Sequence, residues 1–216
     1  MELLSSIQAH LSEFIELGGP VVAVLLAMSV LSLATVIYKV AQYRAQGVGR
    51  RKSLETALRA WDLGNDKQAF SDAGVSRNHL KSYVLEAMEQ AAAGDNSALA
   101  QRLVSRSEES LTRLEKGFRL LDTIAQVAPL LGLFGTVLGM IEAFQKLQNA
   151  GSAVDPSILA GGIWVALMTT AVGLAVAMPT QLFLTWLETR ISDERVFADK
   201  AIHMVLCRTK ELDHAA

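Results

Sequence analysis

The sequence predicts an all-α membrane protein with three transmembrane helices. Two of them are long and extend into a cytoplasmic helical bundle, with the N-terminus outside and the C-terminus cytoplasmic. Three observations predict this. Hydrophobic residues make up 51% of the chain and lie in blocks, so that residues 17–38, 123–141 and 156–187 are stretches of 22, 19 and 32 residues without a charge. About 20 helical residues cross a hydrocarbon core of about 30 Å, so each block can span it. None of the blocks has charges at helical spacing, which three buried helices of a soluble core would need on an outward face. Basic residues gather at one end of each block, and that asymmetry sets the orientation.

Composition excludes several function classes. Charged residues are only 19% and the net charge is −2, so no basic field draws the chain to nucleic acid. The single cysteine, Cys207, excludes a disulfide framework and a zinc site built on several thiolates. His10, His79, His203 and His214 have no metal-ligand spacing, and no nucleophile–base pair or cofactor fingerprint is present. No metal, cofactor or enzymatic activity is expected.

In chain order, residues 1–16 predict a periplasmic amphipathic helix, with Leu3, Leu4, Ile7, Leu11, Phe14 and Ile15 among polar residues. Glu2, Glu13 and Glu16, with no Lys or Arg, precede the first span, which is opposite to the basic start of a cleaved signal peptide. That span covers residues 17–40. Lys39, Arg44, Arg50, Arg51 and Lys52 mark its far end, Arg113, Lys116 and Arg119 precede the second span, and Arg190, Arg195 and Lys200 follow the third. The segment between spans two and three has only Lys146 against Asp155. Positive charge marks the cytoplasmic side. Residues 41–118 are therefore a cytoplasmic helical loop, 119–147 and 157–188 the second and third transmembrane helices, 148–156 a short periplasmic loop, and 189–216 a cytoplasmic helical tail.

Gly64-Asn65-Asp66, Gly74 and Gly94-Asp95-Asn96 divide the cytoplasmic loop into short helices. No strong breaker follows Ser97 until Asn149-Ala150-Gly151, which predicts one helix over 97–148, roughly 78 Å long. Asp155-Pro156-Ser157 offers an N-cap followed by proline at the first helical position of the third span. Below the membrane, Ile191, Ala198, Ile202, Val205 and Leu212 share one face, as do Leu111, Leu114, Phe118 and Leu121. Those faces predict an antiparallel pair of long helices.

Small residues recur every three or four positions inside the spans: Gly132, Gly135 and Gly139 in the second, and Gly162, Ala166, Gly173 and Ala177 in the third. Such stripes serve close helix approach, either within the chain or in a crowded oligomer, because lipid tails are as apolar as leucine. No Asp, Glu, His, Lys or Arg lies inside the three blocks. A proton held at the midplane needs an ionisable group there, so this chain needs a carboxylate from a partner helix. It can itself supply hydroxyls. Thr136 and Thr170 come to similar depth on antiparallel spans, within roughly 4 Å, and Thr169, rotated about 100° from Thr170, is a secondary candidate for the ion path. Each hydroxyl could instead bond the carbonyl one turn back and simply pack.

Residues 128–141, Ala-Pro-Leu-Leu-Gly-Leu-Phe-Gly-Thr-Val-Leu-Gly-Met-Ile, resemble a signature of the TolQ/ExbB/MotA proton-channel family. So do residues 162–179, Gly-Ile-Trp-Val-Ala-Leu-Met-Thr-Thr-Ala-Val-Gly-Leu-Ala-Val-Ala-Met-Pro, with Pro129 and Pro179 in register, and Leu17-Gly18-Gly19-Pro20 at the first span. Three spans rather than four place the chain beside ExbB and TolQ. The resemblance implies a multi-pass subunit of the bacterial inner membrane, five copies of which surround the transmembrane helices of an ExbD- or TolR-like single-span partner. That partner contributes an aspartate, and proton flow drives work at the outer membrane through TonB or TolA. It further implies that Thr136 and Thr170 face the pore. Family members usually carry glutamate where this sequence has Val165, about 7 Å outward of Thr170. Glu142, near the outer end of the second span, is the candidate replacement carboxylate. A TolQ-like role in envelope constriction and a non-conducting membrane scaffold are the alternative readings. A neighbouring gene for a single-span protein with a membrane aspartate favours the motor over the scaffold.

Overall fold

The computed structural model describes residues 2–93, 97–149 and 156–207. The breaker expected at Gly94-Asp95-Asn96, the cap at Asp155, most of the loop 148–156, and Leu212 and His214 lie outside the described residues, as do the side chains behind the amphipathic reading of 1–16 and that of Cys207. Among the described residues the chain is all-helical, without strands: α1 (Glu2–Ala45), α2 (Lys52–Asp62), α3 (Asp66–Val75), α4 (Lys81–Ala93), α5 (Ser97–Glu115), α6 (Phe118–Asn149) and α7 (Pro156–Cys207). They form two compact units, Met1–Ile37 with Gly117–Leu184 and Tyr38–Lys116 with Thr185–Ala216.

The first unit holds α6 and the larger apolar parts of α1 and α7. Gly19–Ala45, Phe118–Asn149 and Leu159–Leu206 are long and apolar enough to cross a bilayer, yet only 28%, 28% and 22% of their most apolar windows are buried. Leu31, Leu33 and Ile37 on α1, Leu133 and Phe134 on α6, and Leu167 and Leu182 on α7 all project outward. In water such a surface would aggregate; in a membrane it meets lipid or other subunits. Gly19 bends α1 with φ +64° immediately before Pro20. That left-handed conformation favours glycine, and the following proline cannot continue the preceding turn. Val21 and Leu25 of α1, Ile124 and Ala128 of α6, and Val176 and Ala177 of α7 form the interior. Thr180 donates its hydroxyl proton to the Val176 carbonyl at 2.8 Å. Ser32 must therefore be the donor in the buried 2.7 Å bond that joins the two hydroxyls of α1 and α7.

The helix expected over 97–148 is two helices. Gly117 sits at φ +97° between α5 and α6, a conformation costly for any residue with a Cβ. Its carbonyl accepts Leu121 N–H at 3.2 Å, which opens the first turn of α6. Gly74, read as a breaker, lies inside α3, which runs on to Val75.

The second unit is a helical bundle. Leu54, Leu58 and Trp61 of α2, Leu80 before α4, Val84 and Met88 of α4, Leu103 of α5, and Ala198, Ile202 and Val205 of α7 share one core. Trp61 Nε1 donates to the Val205 carbonyl at 3.2 Å and its ring meets Phe70 edge-on. Arg195 ties α7 to α5, with Nε 2.8 Å from a Glu108 oxygen and an Nη 2.8 Å from Glu115.

Glu194 is fully buried. Its oxygens accept from Gly49 N at 2.8 Å, Arg51 Nε at 2.9 Å and Asn78 Nδ2 at 3.1 Å. His79 lies 3.9 Å from the same carboxylate with neither ring nitrogen hydrogen-bonded. Burial pushes the His79 imidazole below its ordinary range; Glu194 raises it and Arg51 lowers it further, and burial prevails. The unfolded chain, with His79 near 6.5, therefore takes up a proton before the folded one does. Stability from this group is complete above about pH 6.5 and is lost as pH falls through the folded value. The unfolding midpoint is expected to drop between pH 7.5 and pH 5.5, and His79→Gln is expected to flatten that slope in a thermal-denaturation series.

Candidate functional site

Helices α6 and α7 meet along a seam of small residues. A Cβ added at Gly132 would lie 2.9 Å from the Thr169 carbonyl oxygen, one at Gly135 2.7 Å from the Thr169 side chain, and one at Gly173 2.6 Å from the Ala128 carbonyl oxygen. Farther along, Gly139 faces Ala166 at 3.3 Å, and a Cβ on Gly162 would collide with Ala143. The stripe is thus occupied by packing within one chain. A contact between copies has to use other surfaces, and the outward apolar faces of the three long helices are the ones available. Ala177 belongs to the three-helix interior, Pro129 is half-buried in α6, and Pro179 is exposed on α7.

The same seam positions the threonines. Gly132 stands opposite Thr169 and Thr170, and Gly139 opposite Ala166. Thr136, between those two glycines, therefore sits at a level between Ala166 and Thr170. Thr169 is buried, and its hydroxyl donates to Ala166 O at 2.7 Å and Gly132 O at 3.2 Å. Half-buried Thr170 donates across the seam to the same Gly132 carbonyl at 3.3 Å. Thr136 donates to Leu133 O at 2.6 Å. Thr136 and Thr169 thus have the back-bonded geometry of hydroxyls within a helix, whereas Thr170 reaches the neighbouring helix. With their protons committed to carbonyls, all three oxygens keep lone pairs that can accept from water or from an acid.

Glu142 is exposed and pairs with Lys146 one turn on, at 2.7 Å. It also lines a cavity of about 510 Å³ shared with Val165, Gly139, Gly162, Thr169 and Pro20. Among the described residues, Glu142 and Lys146 are the only ionisable side chains on its wall. Glu142 and the position where the resemblance expects a glutamate therefore open onto one space from facing helices.

Sequence reasoning missed three arrangements. Lys39, used as an orientation marker, is 2% exposed and donates to Leu114 O at 3.0 Å and Gln42 Oε1 at 2.9 Å. The Ser32–Thr180 bond carried no signal of its own, since each of the two apolar blocks holds several hydroxyls. Glu194 carried no signal at all, because a lone carboxylate in a charged tail reads as solvated.

The sequence profile of the MotA/TolQ/ExbB proton channel family matches residues 69–199. The chain is 28% identical over 191 residues to a biopolymer transport protein ExbB homolog of Methanothermobacter thermautotrophicus, a match covering 84% of this chain and 64% of that one. It is 42% identical over 83 residues to biopolymer transport protein exbB1 of Vibrio cholerae, across 37% of this chain and 36% of that protein. With the ExbB-like 3 biopolymer transport protein of Synechocystis sp. it shares 32% identity over 173 residues, across 77% and 79%. The match thus spans less than two thirds of the first two relatives. The family profile covers more than half of the sequence, and the relatives along most of it carry the ExbB name; the chain belongs to the MotA/TolQ/ExbB proton channel family, on its ExbB-like branch.

Proposed function

We propose that the chain is the ring-forming subunit of a proton-motive-force-driven motor of the bacterial inner membrane. Five copies enclose the membrane helices of an ExbD- or TolR-like single-span protein and energise TonB-dependent transport across the outer membrane. In this reading the N-terminus and the 148–156 loop are periplasmic, residues 41–118 and 189–216 are cytoplasmic, and the chain is not an enzyme. Thr136 and Thr170 line the ion path, Thr169 packs beside it, and Glu142 stands at its outer end.

The observation that carries the proposal is a combination. Span interiors free of ionisable groups are paired with two threonine oxygens held at nearly one level by the α6–α7 seam. Hydroxyls solvate and relay a proton but do not hold one, which is the role left to a ring subunit around a carboxylate-bearing partner. The exposed apolar faces of α1, α6 and α7 support assembly with further membrane helices. A TolQ-like role differs only in the partner served. The scaffold reading is favoured by a single observation, the apolar Val165 in place of the family's glutamate.

Thr170→Val keeps the side-chain volume and removes the hydroxyl. The purified complex is expected to keep a mass of five copies, while proton flux in proteoliposomes falls about fivefold or more, the scale of one lost hydrogen bond of about 1 kcal/mol. Thr136→Val is expected to behave alike. Wild-type flux in both variants would show that the hydroxyls only pack.

A further inference from the structure

Two loops of the second unit are clamped together beside a charged cavity. The α1–α2 loop, residues 46–51, and the α3–α4 loop, residues 76–80, touch through their backbones: His79 N–H donates to Gln46 O at 3.0 Å. Asn78 Nδ2 donates to Gly47 O at 3.3 Å. Gly47, at φ +66°, lies so close to Arg77 that a Cβ would collide with its carbonyl oxygen. Buried Glu194 adds the clamp from α7, binding Gly49 N, Arg51 Nε and Asn78 Nδ2.

The clamp gathers more positive charge than Glu194 can neutralise. A cavity of about 380 Å³ is lined by Arg50, Arg51, Lys52, Ser53, Val75 and Arg77. Arg51 turns its Nε to Glu194, and its two terminal nitrogens have no acceptor among the described residues. Arg50, Lys52 and Arg77 have no acidic partner among them either. With Arg51 paired to Glu194, the three remaining cations around one small space repel each other. Gly47 and Glu194 fix the backbones of the two loops that carry them. Guanidinium forks match phosphate oxygens.

We propose that this cavity binds the phosphate of an anionic phospholipid headgroup. Arg50 follows the end of α1 by five residues, a reach of at most about 18 Å from a membrane-length helix. Within that reach of an anionic surface, each cation is worth about one order of magnitude or less in affinity. Val75, 75% exposed in the same wall, offers an apolar contact to the glycerol and acyl region that a free phosphate would not use. The proposal stands apart from the ion path, because binding is read without a partner or a gradient.

The full chain in mild detergent is titrated with short-chain phosphatidylglycerol, with phosphatidylcholine of the same chain length, and with inorganic phosphate, and bound molecules are counted by native mass spectrometry. Phosphatidylglycerol is expected to bind at least about tenfold tighter than phosphatidylcholine and to resist displacement by inorganic phosphate. R50Q/K52Q/R77Q is expected to lose about tenfold or more of that affinity, and single R77Q part of it. R59Q/K67Q/R102Q, equal in charge change but outside the cavity, is expected to stay within about twofold. Helical content and melting of each variant are compared with the wild type; if the triple variant is misfolded, R77Q decides. Unchanged affinity in the cavity variants, or an equal loss in the control, overturns the site. Displacement by inorganic phosphate overturns the lipid and leaves a soluble phosphate compound as the occupant.

Discussion

Reconstituted with an ExbD-like single-span partner, the chain is expected to pass protons, and the flux is expected to fall at least about tenfold when the partner's membrane aspartate becomes asparagine. Residues 123–141 and 156–187 contain no titrating side chain. The threonine protons of the seam are already donated to carbonyls at Leu133, Ala166 and Gly132. Threonine oxygens can therefore accept and pass on a proton but cannot store one at neutral pH, and a base at the bilayer midplane has to come from elsewhere. The chain alone is expected to leak only weakly. A pH-sensitive dye in vesicles checks all three preparations, and the decisive comparison is between the aspartate and asparagine complexes, since a water-filled ring can leak in both. Equal flux in those two would move the balance to the scaffold reading. Val165→Glu in the same assay tests the cavity it shares with Glu142. Raised flux would mean that a carboxylate on α7 outperforms the Glu142–Lys146 pair on α6, and unchanged flux would mean that Glu142 already serves that space.

Gly173→Leu is expected to disrupt the α6–α7 pair, while Gly161→Leu is expected to be tolerated. At Gly173 the first added carbon lies 2.6 Å from the Ala128 carbonyl oxygen and 3.1 Å from Gly132 Cα. Both are backbone atoms of a helix and cannot rotate away, so the two helices must separate. Separation costs the Thr170–Gly132 and Thr169–Gly132 bonds as well. A loss of roughly 3 kcal/mol or more is expected, at the upper end of overpacking substitutions, seen as loss of folded protein in detergent and a lower melting midpoint. Gly161 sits on the same helix but opens onto the cavity it shares with Glu142 and Val165. A Cβ added there meets no atom within 4 Å, and its substitution is expected to stay within about 0.5 kcal/mol. Similar melting of the two variants would mean that the seam does not hold the unit together.

Much of this architecture was legible because the signals are local. A charge-free block of 22, 19 or 32 residues reports a membrane-length helix whatever it packs against. Gly64-Asn65-Asp66 ends α2 because Gly64 takes φ +82° and Asn65 caps α3 through Gln68 N–H at 3.3 Å, chemistry carried by those three residues themselves. Gly117 was harder. An isolated glycine is tolerated inside a helix, and only the separate packing of α5 in the bundle and α6 among the long helices requires a left-handed residue between them. The small-residue stripe showed close approach but not its partner, which is the neighbouring helix of the same chain.

The sequence by itself determined that three helices are long and apolar enough to cross a membrane, that their interiors lack titrating groups, and that two glycine-bearing motifs lie on the second and third of them. These follow from composition along the chain, and helix length and side-chain period convert them directly into geometry. The tertiary structure alone decided that Gly132 faces Thr169 and Thr170, that Lys39 and Glu194 are buried, and that Glu142 and Val165 share a cavity. Glu194 meets Gly49 across 145 positions and Lys39 meets Leu114 across 75. Burial and pairing depend on what arrives from such distances, and no local pattern encodes it.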